Sequence, residues 1–326
     1  VAREAAAITA TSLKVEHIKP SPVEINDCLQ VKVDEPEACP RYCGRVVRGV
    51  NPAAATPSWM VRRLERSGVR SLSVIVDITN YVMLELGQPL HAFDLANIKG
   101  DITVRYARKG EELLLLNDKK LPLMPGLLVI ADDAKALALA GIMGGRESAV
   151  SAQTHDMFLE SAFFSPEAIA GKPRILGFAT DSSQRFERGV DFAMTRDALE
   201  RTTQLILQIC GGKAGPVAEA CHALPKRDPI QLRVARAQRV LGIKLDKEQV
   251  GSLLRRLQFS FAEDHEAFYV TPHSYRFDLA IEEDLIEELA RIHSYEAIPA
   301  TLPKAVQNML PDSEIRREVA ALRGIL

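Results

Sequence analysis

The sequence predicts an α+β protein of more than one domain: a mixed or antiparallel sheet flanked by helices, then a small winged-helix-like unit. Three observations predict it. At 326 residues the chain exceeds what one hydrophobic core ordinarily serves, so two or three domains are expected. Between residues 102 and 160, short apolar runs of strand length follow one another, bounded by Gly, Asn, Asp or Pro, whereas the flanking stretches carry helical periodicity. Beyond residue 227 the order is strand, helix, helix, two strands, helix.

Taken in order, residues 1–39 hold short strand-like runs such as LQVKV, punctuated by Pro20, Pro22 and Pro36. They are too few to bury a core and read as part of a preceding domain. The chain begins at Val1 with no signal peptide, and so reads as an internal piece. In NPAAATPSWMVRRLERSG, Thr56 suits a helix cap, Pro57 the first turn and Gly68 the stop. A second helix is expected over 72–86, ended by Gly87 with Pro89 just beyond. Strands follow in ITVRYA, in ELLLLNDKKLPL (a hairpin turning at Asn117–Asp118), and in LLVIADD, ALALAGIMGG and DMFLES. Ser165 and Pro166 open another helix, and DFAMTRDALERTTQLILQICGG is a long amphipathic one closed by Gly211. One α+β domain is therefore expected over 40–213, a linker over 214–226 and the winged-helix-like unit over 227–302. In that unit Asp246 and Gln249 stand at capping-box spacing. Residues 303–326 start a further element.

Composition narrows the function classes. The chain carries 41 basic and 43 acidic residues, a net charge of −2, so no global field draws it to nucleic acid and any such contact needs a local patch. No run of eighteen apolar residues offers a membrane-spanning helix. The five cysteines (Cys28, Cys39, Cys43, Cys210 and Cys221) lack the second close pair of a zinc set and read as free cytosolic thiols.

Polar residues in apolar settings mark the candidate sites. In ITNYVMLELGQPLHAFD (78–94), Tyr81, Val82, Met83, Leu84 and Leu86 ask for burial, yet Thr79, Asn80, Gln88, His91 and Asp94 sit among them. Buried polar groups are costly without partners, so something should be using these. Thr79 and Asn80 belong to the helix, and Pro89 and His91 to a loop that can fold back over its end. Gly141, Gly144 and Gly145 mark a loop where the backbone bends or a ligand approaches closely. Glu160 stands on an otherwise apolar strand; on residue type alone it reads as a strand-end acid facing solvent. In QRFERGVD the mixed charges read as internal pairs rather than an RNA contact. In RFDLAIEEDLIEELARIH, Ile281, Leu285, Leu289 and Ile292 form a core stripe. Asp284, Glu287 and Glu288 share the neighbouring face, with Asp278 just upstream. Those acids fit either a helix dipole with a Glu287–Arg291 pair or a magnesium site. Arg233, Arg236 and Arg239 lie near the first helix of the last unit, but Asp246, Glu248, Glu263 and Asp264 follow, so a scaffold is favoured over a DNA-binding surface.

Five motifs, ITNYVMLELGQPLHAFD, AGIMGG, LESAFF, TDSSQRFERGVD and RFDLAIEEDLIEELARIHSYEAIPATLP, together resemble the β subunit of bacterial phenylalanyl-tRNA synthetase, in order from about 40 to 303. The resemblance implies that 40–213 is a cytoplasmic tRNA-editing domain hydrolysing tyrosine wrongly esterified to tRNA(Phe), with water as the attacking group and no covalent nucleophile. A pocket shaped for phenylalanine rejects an added hydroxyl by only about 10²-fold, whereas a site that hydrogen-bonds the hydroxyl discriminates by about 10⁴–10⁵. In the resemblance Glu160 senses that hydroxyl, Thr79 and Asn80 hold the amino-acid and ribose end, Pro89 shapes the wall, His91 places the water, and Gly141 and Gly144 line the slot. Ser182 stands where the family usually has alanine, adding a hydroxyl to the wall. Asp278, Asp284, Glu287 and Glu288 take the places of a magnesium site shared with an α subunit, which alone would use ATP. The implied partners are that α subunit, in a heterotetramer of two α and two β chains, and tRNA(Phe), with no membrane; 303–326 would begin a synthetase-like domain. The alternative is a non-catalytic tRNA- or α-subunit-binding scaffold with a vestigial pocket.

Overall fold

The computed structural model describes residues 1–15, 17–300 and 319–326. The first half runs α1 (Ala2–Thr9), β1 (Val31–Val33), β2 (Arg41–Arg48), α2 (Ser58–Arg66), α3 (Val74–Leu86), β3 (Leu90–Asp94), β4 (Ile102–Tyr106), β5 (Glu112–Leu114), β6 (Lys120–Pro122), β7 (Leu128–Ala131), β8 (Ala136–Leu139), β9 (Met143–Gly144) and β10 (Met157–Phe163). Then come α4 (Pro166–Ile169), α5 (Lys172–Leu176), α6 (Asp181–Arg188), α7 (Thr195–Cys210), β11 (Lys213–Cys221), β12 (Ile230–Arg233), α8 (Val234–Leu241), α9 (Lys247–Arg256), β13 (Ser260–Glu263), β14 (Ala267–Thr271), α10 (Glu282–His293) and α11 (Val319–Arg323). The chain is thus mixed α+β with several antiparallel sheets.

A four-stranded antiparallel sheet, in order β11-β2-β10-β3, divides two cores. The alternation of β10 shows how. Met157 and Leu159 point to one face, where Ile75, Ile78 and Val82 of α3 and Leu199 and Ile206 of α7 cover them. Phe158 and Ala162 point to the other, packing with Val104 of β4 and with Val129, Ile130, Ala138 and Leu139 of the second sheet. That second sheet, β1-β4-β7-β8-β9, is antiparallel except for the parallel pairing of β1 with β4. A third core joins the sheet β12-β14-β13 to α8, α9 and α10, and takes in Ala7 of α1.

Several expectations need correction. The first segment is not only strand: α1 packs on the third core because Arg256 donates to the carbonyls of Ala7 and Ile8. Thr56 does not cap α2; its hydroxyl donates to Asp77 at 2.6 Å instead. His91 lies on β3, not in a loop. Residues 213–221, mostly assigned to the linker, form an edge strand whose pairing with β2 shifts register between Ala214 and Val217, around Gly215–Pro216. Ile281 is exposed, because α10 starts just after it, while Leu285, Leu289 and Ile292 are buried. The expected element at 303–326 falls mostly outside the described residues.

A candidate functional site between the two sheets

On the face of β10 shared with Phe158 stands Glu160, and its register partner on β3 is His91. Directly opposed residues on antiparallel strands hold their side chains side by side, so strand pairing alone places the carboxyl next to the imidazole. The pair opens into a cleft of about 60 Å³, lined by Pro89, His91, Gly141, Met143, Gly144, Glu160, Ser182 and Phe186, with apolar residues of β7 and β8 behind.

Each wall has a local cause. Gly141 turns the chain after β8 with a φ of +66°, a conformation that side chains other than glycine rarely adopt. Gly144 leaves room for the imidazole: a Cβ there would lie 2.4 Å from His91 Cε1. The third wall is α6, a short polar helix that sequence patterning did not indicate. Thr180 caps it, accepting from the Ser183 amide at 3.0 Å, and the same hydroxyl donates to the Ile142 carbonyl at 2.7 Å. That tether sets Ser182 and Phe186 against the glycine loop.

Three polar atoms, two on residues lining the cleft and one in the core behind it, are unusual. Glu160 Oε2, His91 Nε2 and the Tyr42 hydroxyl are buried without a hydrogen-bond partner. Burial drives the Glu160 carboxyl up to about 8, although the nearby Tyr42 hydroxyl favours its charged form. Burial also pushes His91 down to about 4; the residue as a whole is half-buried, and its Nε2 is covered. Both groups are therefore neutral at pH 7, and no ion pair forms between them. Tyr42, Met143 and Phe186 were not singled out in the sequence. Tyr42 offers no signal there, since an aromatic residue in RYCGRVV reads as core.

The other polar residues of 78–94 are used differently. Thr79 and Asn80 do not line the cleft. They ride on α3, which packs on the opposite face of the sheet, and Thr79 turns back to donate to the Val76 carbonyl at 2.9 Å. Gln88 donates to the carbonyls of Pro89 at 3.1 Å and Ala162 at 2.7 Å, stitching the turn after α3 to β10. Asp94 accepts from Thr154 at 2.6 Å. Most of the polarity that made this stretch conspicuous is structural.

The acids near α10 do not form a cation cage as they stand. Arg276 takes Asp278 at 2.8 Å and Glu288 at 3.0 Å, and Arg291 takes Glu288 at 2.6 Å and also pairs with Glu4. Asp284 accepts from the amides of Ala280 and Ile281 at 2.7 and 2.9 Å, capping the helix, and Glu287 is exposed. Among the described residues no group of three or more such side chains is placed to hold a metal ion. The expected Glu287–Arg291 pair is replaced by Glu288–Arg291. Arg185 pairs with Asp181 at 3.1 Å and Glu187 accepts from the Gly171 amide at 3.0 Å, so QRFERGVD is internally bonded as expected. Arg233 and Arg236 are likewise matched by Glu282 and Glu283.

Comparison with known proteins sets this geometry in context. Residues 38–211 match the B3/4 domain and residues 230–295 the tRNA synthetase B5 domain. The whole chain is 58% identical to 42% of the phenylalanine–tRNA ligase beta subunit of Chromobacterium violaceum, and 58% identical to 42% of that of Nitrosospira multiformis. The chain belongs to the phenylalanine–tRNA ligase beta-subunit family. It spans about two fifths of the length of these curated relatives. A solved N-terminal fragment of the phenylalanyl-tRNA synthetase beta subunit from Pyrococcus horikoshii overlaps 84% of the chain and 77% of its own, at 13% identity and a TM-score of 0.39, a likeness too distant to argue from. Within the chain the cleft lies wholly in the B3/4 match. No helix among the described residues is long and apolar enough to cross a membrane.

Proposed function

We propose that the cleft hydrolyses tyrosine esterified to tRNA(Phe), as the editing site of a phenylalanine–tRNA ligase beta subunit. The observation that carries this reading is the buried, neutral carboxyl of Glu160, unpartnered at the head of a cleft with His91 beside it. A tyrosyl phenol donates to the carboxyl and completes its hydrogen bonding. A phenylalanyl ring leaves it as it is, which forfeits about 1–3 kcal/mol for the unmet buried group.

The chemistry asked of the protein is modest. A water oxygen attacks the ester carbonyl carbon, the bond to the ribose oxygen breaks, and that oxygen takes a proton as the free amino acid forms. His91 is neutral at pH 7 and too weak a base, at about 4, to carry much of the proton abstraction. Its role is to accept from the water and hold it, and such positioning lowers the barrier for an ester already activated. His91 Nε2 accepts from no hydroxyl, so Ser182 is not primed as a nucleophile. The cleft holds a few waters, and it is smaller than the ~150 Å³ cavity that admits benzene. Entry of an aromatic ring therefore moves a wall, and Met143, half-buried and flexible, is the wall suited to move. Pro89, Gly141, Gly144 and Ser182 complete the slot. Thr79 and Asn80 lie behind the sheet and have no part in the slot.

On this reading the three-stranded sheet with α8–α10 is a winged-helix-like scaffold, and the partners are a ligase α subunit and tRNA(Phe). Magnesium on Asp278, Asp284, Glu287 and Glu288 would require Arg276 to release two carboxylates, and no step here depends on it. The test is deacylation of Tyr-tRNA(Phe) and Phe-tRNA(Phe) by the intact ligase. Glu160→Ala is expected to cut the preference for the tyrosyl ester at least tenfold, and His91→Ala to slow the tyrosyl reaction. Absence of tyrosyl hydrolysis by the unmutated ligase would remove the reading.

A further inference from the structure

We propose that Tyr42 is a positioning residue of the cleft, its hydroxyl holding one oxygen of the Glu160 carboxyl so that the other faces the phenol of the guest. The inference rests on the editing reading above and names a residue that reading does not need.

The geometry comes from strand register. On β2, Gly44 is the direct partner of Glu160 and Tyr42 that of Ala162, so Tyr42 is the diagonal neighbour of Glu160 on the same face. Diagonal pairs lie within reach of an aromatic side chain. The Tyr42 ring is fully buried in the core between the two sheets, where phenylalanine would pack as well. Packing therefore gives no reason for the hydroxyl, and a buried hydroxyl without a partner carries a desolvation penalty. That hydroxyl and Glu160 Oε2, on diagonal neighbours, and His91 Nε2, on the strand at the other side of β10, are each buried without a partner. The Tyr42 hydroxyl interacts with the carboxyl without completing a bond of ordinary geometry, which a small rotation on ligand entry would close. A carboxyl with no second anchor can present either oxygen at a range of angles. Anchored by Tyr42, it offers one, and a phenol is a short-range, directional guest. The groups facing the carboxyl are Tyr42 from β2, His91 from β3 and the Cys39 thiol, none of them charged at neutral pH.

The test is Tyr42→Phe in the intact ligase, assayed for Tyr-tRNA(Phe) and Phe-tRNA(Phe) hydrolysis across pH, beside Glu160→Ala. The exchange removes one oxygen and keeps the ring, and a thermal melt matching the unmutated ligase verifies the fold. The expected result is a fall of about tenfold in the tyrosyl-to-phenylalanyl ratio, the value of one ordinary hydrogen bond. The pH midpoint of tyrosyl preference should also move upward, because the carboxyl loses a donor that favours its charged form; a merely structural role would leave that midpoint in place. If Glu160→Ala abolishes the preference while Tyr42→Phe keeps both ratio and midpoint, the role of Tyr42 is overturned and the editing reading stands. If Glu160→Ala leaves the ratio unchanged, the reading fails and the proposal with it.

Discussion

Glu160 and His91 stand opposed across two strands, and neither carries charge at neutral pH, because burial disfavours the ionised form of each. The consequence for stability has a sign. Glu160 holds its proton up to about 8, against 4.5 ordinarily, so its contribution is complete below pH 4.5 and is withdrawn as pH rises toward 8, at roughly 1.4 kcal/mol per unit. His91 runs the other way: held at about 4 against 6.5, it contributes fully above 6.5 and loses that contribution as pH falls toward 4. Between 4.5 and 6.5 the two slopes oppose. From 6.5 to 8 the Glu160 slope stands alone. Glu160→Gln removes it, so the stability of the variant relative to the parent is expected to climb with pH up to about 8 and then level off. Denaturant unfolding at pH 5 and pH 8 checks this; an unchanging difference would mean the acid is not buried as described. At this scale Glu160 and His91 were legible in the sequence through the motifs that carry them, whereas Tyr42 was not. Its hydroxyl has meaning only across strands that the sequence does not pair.

Among elements, a buried ion pair behind the sheet holds the strand that carries Tyr42. Arg45 of β2 and Glu200 of α7 form a buried pair at 2.8 Å, with side chains 2% and 4% exposed. Glu200 also accepts from the Ser21 amide at 2.7 Å, and Arg45 donates to the Gly215 carbonyl of β11 at 2.9 Å. One cluster thus fixes β2, and with it Tyr42, against α7, β11 and the leading segment. Glu200→Ala strands a buried guanidinium and is expected to cost about 3–5 kcal/mol, read as a fall in unfolding free energy; a loss under about 1 kcal/mol, the range of surface pairs, would contradict the clamp. Elements with strong end signals were legible: α3 stops at Gly87 with φ +80°, and α9 is capped by the Asp246–Gln249 box as the spacing predicts. Those that depend on tertiary partners were not. The polar helix α6 buries only Ser183 and Phe186 and is held by Thr180. Likewise, β11 carries Gly215 and Pro216, residues that read as linker until β2 is beside them.

At the scale of the whole molecule, the α+β class followed from periodicity alone, and the division of the cores did not. Which face of a strand meets which core is decided by pairings that span as much as the distance from β2 to β11 in sequence. The cleft exists because two sheets share one core, and the B3/4 match encloses all of it. Charge is balanced overall, and Arg233, Arg236 and Arg276 are matched by acids, so any grip on nucleic acid is local. The editing proposal turns on where a phenol sits. The decisive measurement is a crystal structure of the chain with a non-hydrolysable tyrosyl amide of 3′-aminoadenosine. The expected result places the phenolic oxygen at about 2.6–2.9 Å from Glu160, the acyl carbonyl at the His91 end and Met143 displaced. An analogue seated elsewhere, or a phenol pointing to solvent with Glu160 still unpartnered, would contradict the account.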